Sequence, residues 1–159
     1  MFNENIERML HLKIFEEICV FFGKPNIDLF ATRLNTQLNR FVSWHPDPDA
    51  EKINAFSMPW SSEYYYLFPP FSLISRCIQK INNDRTDCLI ILPLWPTQIW
   101  YSAMLELLID CPLILPHKQK VLLLPEISKI HPLINQMTLI ACRLSGNLMK
   151  VKEFRKKLQ

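Results

Sequence analysis

The amino-acid sequence predicts an α/β protein with a three-layer, mostly parallel sheet and helices on both faces. Three observations carry that expectation. Between Tyr64 and Leu144, strand-like and helix-like stretches alternate, which is the pattern of right-handed βαβ units. The run Cys88 to Leu92 is continuously apolar, as a strand covered on both faces requires. The stretch Leu67-Phe68-Pro69-Pro70-Phe71-Ser72-Leu73-Ile74 ends an aromatic strand on two fixed φ angles and opens into a helical pattern. Ligands of open α/β sheets sit at the carboxyl ends of strands, so this loop is where function is sought first.

The elements follow in order. Residues Asn5 to Phe22 place Ile6, Met9, Leu10, Ile14, Ile18, Phe21 and Phe22 at the spacing of one buried helix face. Gly23-Lys24-Pro25 ends that helix, with glycine just past its last turn. Asn26 to Ala31 reads as a short buried strand, Thr32 to Asn39 as a polar connection and Arg40 to Trp44 as a second strand. His45 to Ala50 is a loop, because each of its prolines disfavours helix in the residue before. Tyr64 to Phe68 is a strand, Ser72 to Asn82 a helix and Asp87 to Pro93 a strand. Thr97 reads as the N-cap of a helix reaching Ile109, and Pro112 to Leu115, Val121 to Leu124 and Met137 to Leu144 as further strands. The chain divides into an N-terminal helix packed on the domain (1–24), an α/β domain (25–146) and a basic C-terminal helix or tail (147–159).

Composition sets bounds. At 159 residues and 49% hydrophobic content, the chain is long and apolar enough to bury a core. No apolar run approaches the roughly 18 residues of a membrane span, so no membrane partner is expected. Met1-Phe2-Asn3-Glu4 has no basic stretch leading into an apolar one, and five dispersed cysteines (Cys19, Cys77, Cys88, Cys111, Cys142) suggest reduced thiols. An intracellular protein, cytoplasmic or nuclear, is the expectation. Arg143 to Gln159 holds six basic residues and one acid, a segment of +5 in a chain of +3, so the rest carries −2. Any attraction to the phosphates of DNA therefore sits in the tail, with Lys156 and Lys157 at its end; a solvated helix face accounts for the same charges.

Few chemistries find residues to run on. Two glycines, Gly23 and Gly146, leave neither a P-loop nor a dinucleotide fingerprint, and there is no GxSxG elbow. The histidines His11, His45, His117 and His131 are isolated, and no metal is expected. Asp28, an acid inside a buried strand, needs a partner. It either contacts a cofactor's polar groups at the strand end or caps a neighbouring loop. Phe71 is placed to stack on a flat base, with Trp95 or Trp100 completing an apolar slot; the alternative for each ring is simple core.

With these residues in hand, the chain resembles one region of DIRS-type retrotransposon polyproteins. The resemblance rests on Ile27 to Asn35, Phe41-Val42-Ser43-Trp44 with Pro46-Asp47, and Asn54-Ala55-Phe56 with Trp60. It continues through Phe68 to Ile74, Leu92 to Gln98 with Trp100, and His131-Pro132-Leu133, so that it covers about residues 14–146. In such elements this region lies between the reverse transcriptase and ribonuclease H parts and a tyrosine recombinase. The tail Lys150 to Lys157 would be the lead-in to the recombinase, and the other domains of the polyprotein would be partners.

The region is in turn similar to bacteriophage Dam-type DNA adenine methyltransferases, which implies a methyltransferase-like, Rossmann-type fold. The similarity would put Asp28 and Asn54 in an S-adenosylmethionine site and make Phe68-Pro69-Pro70-Phe71 the catalytic loop. Phe71 and Trp95 would be contacts for the flipped base. The family loop begins with Asp or Asn, which accepts hydrogen bonds from the exocyclic amine, and related transposon sequences often have Asp at the position of Asn54. Phe68 has no acceptor, so the resemblance implies an inherited fold with degenerate catalysis and a structural or nucleic-acid-associated role. An active N6-adenine methyltransferase and a degenerate ribonuclease H-like domain are the two alternatives.

Overall fold

The computed structural model describes residues 10–116 and 137–159. The expected strand Val121 to Leu124, the motif His131-Pro132-Leu133, His117 and the first positions of the predicted N-terminal helix lie outside the described residues.

Helix α1 spans Leu12–Phe22 and buries Phe15 and Ile18. Phe21, expected on the inner face, is 69% exposed, and Phe15 takes that place by setting its ring edge-on to Tyr66 at 4.9 Å. Gly23 stops the helix at φ 81°, which a side chain rarely adopts. Strand β1 is only Ile27–Asp28, shorter than expected; past it the Asp28 carboxylate accepts the Phe30 N–H, while Leu29 and Ala31 still donate to Tyr66 O and Val42 O. Strand β2 (Val42–Ser43) falls inside the predicted Arg40 to Trp44, whereas β3 (Lys52–Ile53) was not expected.

Strand β4 (Tyr64–Leu67) ends one residue before Phe68. A single 3₁₀ turn, Phe71–Leu73, leads from the prolines into α2 (Ile74–Asp84), which buries Ile74, Cys77, Ile78 and Ile81. Strand β5 is Asp87–Pro93, as predicted, with all but its first residue buried. The long helix expected from Thr97 to Ile109 is instead a turn and the short α3 (Tyr101–Leu105). The chain leaves the helix because Leu107 and Ile109 bond to the last sheet strand, Ser145 N–H to Leu107 O at 2.9 Å and Ile109 N–H to Arg143 O at 3.0 Å. Strands β6 (Leu113–Ile114) and β7 (Leu139–Ser145) and helix α4 (Leu148–Lys157) complete the described elements.

The fold is mixed α/β, with a five-stranded, mostly parallel sheet in the order β1-β4-β5-β7-β6. β1, β4 and β5 are mutually parallel, and β7 runs antiparallel to both β5 and β6. β6 therefore points the same way as β5. The parallel pair β2-β3 joins the outer side of β1 through a parallel bridge between Asp28 and Phe41, with Asp28 N–H on Arg40 O at 3.0 Å. Across both sheets the described strands follow as β3-β2-β1-β4-β5-β7-β6, and among them only β7 is reversed.

Candidate functional site at the strand ends

Because six strands share a direction, their carboxyl ends share a rim. Asp28 closes β1, Trp44 follows β2, Asn54 follows β3, Phe68 follows β4, and Leu94-Trp95 follow β5. Most of the residues singled out from the sequence therefore stand on one edge of the sheet.

Asp28 is the most constrained of them. It is 2% exposed, and its carboxylate accepts N–H bonds from Phe30 at 3.3 Å and Gln37 at 3.2 Å. Burial pushes its pKa up to about 7 against the pull of those two bonds. Of the two roles left open by the sequence, the capping of a loop is the one its bonds serve: it pins residues 29–37 against the sheet. Gln37 carries the tie onward, donating from Nε2 to Leu10 O at 2.7 Å.

Asn54 is likewise engaged. It adopts φ 62°, a left-handed conformation that asparagine tolerates, and its side-chain oxygen accepts the Phe56 N–H at 3.0 Å to start a 3₁₀ turn. Pro69 and Pro70 carry the chain out of β4, and Pro70 (φ −53°, ψ 143°) precedes the 3₁₀ turn. Phe68 and Phe71 are buried, 7% and 9% exposed. Phe71 meets Trp95 edge to face at 5.2 Å, so the loops after β4 and β5 are joined by two of the rings the sequence singled out. Trp100 is buried and sits beside Tyr101.

Next to Asn54 lies an aromatic group that sequence reasoning gave no role. Phe56 packs on Trp60 at 5.6 Å, on Phe30 at 5.7 Å and on Trp44 at 6.3 Å, and the Arg76 guanidinium lies 4.1 Å above its ring. Trp60 is fully buried and donates from Nε1 to Ala55 O at 2.9 Å, while its own N–H reaches the Asp84 carboxylate at 2.9 Å. Lys80 lies 5.4 Å from the centre of the Trp60 ring; its spacing of four from Arg76 on α2 is the signal that could have marked this face, but the rings the two cations cover come from a segment without periodicity. Tyr66 was also missed. It is the ladder partner of Asp28, and its buried hydroxyl has no hydrogen-bond partner among the described residues.

The basic tail is rooted elsewhere. Asp87, the first residue of β5, pairs with Ser145, the last of β7, so α4 starts at the rim opposite Phe68–Phe71 and Trp95. Lys156 and Lys157 are on this helix, and the structure does not bring them together with the ring pair.

Among the described residues no three His, Cys, Asp or Glu side chains converge as metal ligands would. No helix among them is long and apolar enough to cross a membrane. No protein-family model and no curated protein matches the chain.

Proposed function

We propose that this chain is a retrotransposon-derived, methyltransferase-like domain of the DIRS type, catalytically degenerate, with a structural or nucleic-acid-associated role in the element's polyprotein. The observation that carries the reading is the strand order. The doubly wound order of nucleotide-binding sheets is 3-2-1-4-5-6, and this chain follows it with one reversed strand, β7, set between β5 and β6. The Phe68-Pro69-Pro70-Phe71 loop then falls at the carboxyl end of β4, on the rim where such sheets bind ligands.

The same rim argues against catalysis. An S-adenosylmethionine site at the ends of β1 and β3 would draw on Asp28 and Asn54, yet both side chains already bond to their own loops. No glycine follows β1 to let a cofactor approach the backbone; Leu29-Phe30-Ala31 stand there. Asp28, 2% exposed, is closed off from a cofactor, and the Phe68 side chain offers no acceptor to a substrate amine. The ribonuclease H alternative called for an antiparallel first sheet with converging carboxylates, and β1 to β5 are parallel.

Calorimetric titration with S-adenosylmethionine, run on the full chain and on Asp28→Ala with circular dichroism to verify folding, tests the degenerate reading. No heat at millimolar ligand is expected. Binding abolished in a folded Asp28→Ala variant, together with methyl transfer to adenine-containing DNA, would establish the active enzyme instead. Cross-strand NOEs that place β7 anywhere but between β5 and β6 would remove the methyltransferase-like reading altogether.

A further inference from the structure

Six basic residues lie between Arg143 and the end of the chain, and the fold consumes two of them. Arg143 stacks its guanidinium 4.1 Å over the Tyr64 ring and donates to the carbonyls of Cys88 and Leu144. Lys150 is ion-paired with Asp87 at 2.7 Å. The other four, Lys152, Arg155, Lys156 and Lys157, are exposed and make no ion pair among the described residues. Glu153 is the only acid on their helix.

Alpha-helical spacing separates Lys152 and Lys156 from the residues that hold α4 in place, while Arg155, one turn beyond Val151, borders the buried side. Val151 is 3% exposed and Phe154 packs against the core, while Lys152 and Lys156, one turn apart, lie on the outer side with Arg155 and Lys157 flanking them. Gly146 fixes the start of the helix by close packing on the C-terminal end of α2, where a Cβ would lie 2.6 Å from the Arg85 Cα. The basic side chains thus project from a docked helix.

We infer that this outer face of α4 binds the phosphate backbone of duplex nucleic acid without reading its sequence. Four unpaired cations on one anchored helix, on a body whose remaining charge is slightly negative, match a polyanion. A lipid surface fits less well: Val151 and Phe154 are turned into the protein, and the exposed Leu148, Met149 and Leu158 stand at the two ends of the helix, on different sides, without forming a continuous apolar stripe. The inference deepens the nucleic-acid association proposed above and rests on it, but not on any cofactor, so the cofactor titration and the following experiment fail separately.

The experiment is fluorescence anisotropy of a labelled, arbitrary-sequence DNA duplex with the full chain over a range of salt concentrations. Three other proteins are compared: Lys152→Glu/Arg155→Glu/Lys156→Glu, the charge-matched control Lys13→Glu/Arg33→Glu/Lys52→Glu, and Gly146→Ala. Four phosphate contacts predict a log–log salt slope of about −3 to −4. The α4 variant should lower the slope by about 3 and weaken binding at least tenfold, with the control near wild type. Gly146→Ala, which disturbs the seat but keeps every charge, should weaken binding less. Equal losses in the α4 variant and the control would reduce the effect to net charge and overturn the inference. So would no binding at low salt, or binding only to phosphatidylserine–phosphatidylcholine vesicles.

Discussion

Asp28 and Tyr66 are partners on the β1–β4 ladder, a buried carboxyl and a buried phenol held on adjacent strands. Burial is the main reason that both pKa values are raised, and the Asp28 charge adds to the rise at Tyr66. The pair is a polar fault line in an apolar layer, and each half yields a separate expectation.

For Asp28 the expectation concerns pH. An unfolded aspartate titrates near pH 4, and in the folded chain burial lifts this one to about 7. The folded state therefore holds the proton more tightly. The resulting stability is complete below pH 4 and is lost as the pH rises through 7, by about 2–3 kcal/mol between pH 5 and 8. Asp47, Glu51, Asp84 and Asp87, whose pKa values are lowered, act with the opposite sign and at lower pH. Urea unfolding of wild type and Asp28→Asn at pH 5 and pH 8 isolates the term. The difference between the two proteins should shift in favour of the variant at pH 8, and a constant difference would return Asp28 to the ordinary carboxylate range.

For Tyr66 the expectation runs against the usual cost of a core substitution. Removing a buried hydroxyl without a partner relieves its desolvation, and the ring contact with Phe15 remains. Tyr66→Phe should leave stability unchanged or raise it by up to about 1 kcal/mol. A loss of more than that in a urea titration would show that the hydroxyl has a partner.

The Phe71–Trp95 contact is measurable by a double-mutant cycle. Phe71→Leu, Trp95→Leu and the double variant should give a coupling of about 0.5–1.5 kcal/mol, the range for edge-to-face rings. Additive losses would mean that the two loops are positioned independently.

Gly146→Ala drives a methyl group against the backbone of Ile81 and Arg85. Backbone cannot swing aside as a side chain can, so the cost should be about 1–3 kcal/mol, seen as a lower thermal midpoint. A variant as stable as wild type would mean that Gly146 does not pack against the end of α2.

How far these features were legible in the sequence depended on how much of each was local. Strand β5 was found to the residue, because a strand buried on both faces is apolar at every position. The stop of α1 was equally plain, since Gly23 at φ 81° is a backbone requirement written in one letter. Strand β3 was invisible: two exposed residues, Lys52 and Ile53, owe their conformation to the neighbouring β2 and not to their own pattern. The helix drawn from Thr97 to Ile109 failed because Leu107 and Ile109 are claimed by β7, more than thirty residues away in sequence. The rim residues could be named individually, but the sequence did not show that Asp28 and Asn54 would each bond to their own loops.

The reversed strand also governs the order in which the protein can be made. β7 is the last of the described strands, yet it lies inside the sheet and pairs with β5 along its whole length, Asp87 with Ser145 through Pro93 with Leu139. Until residues 139–145 leave the ribosome, β5 has one bare edge and β6 has no described partner. A nascent chain at that stage presents open, apolar strand edges of the kind that recruit other strands. Ribosome-stalled chains ending before residue 139 should engage chaperones, and chains extended past 145 should be released from them.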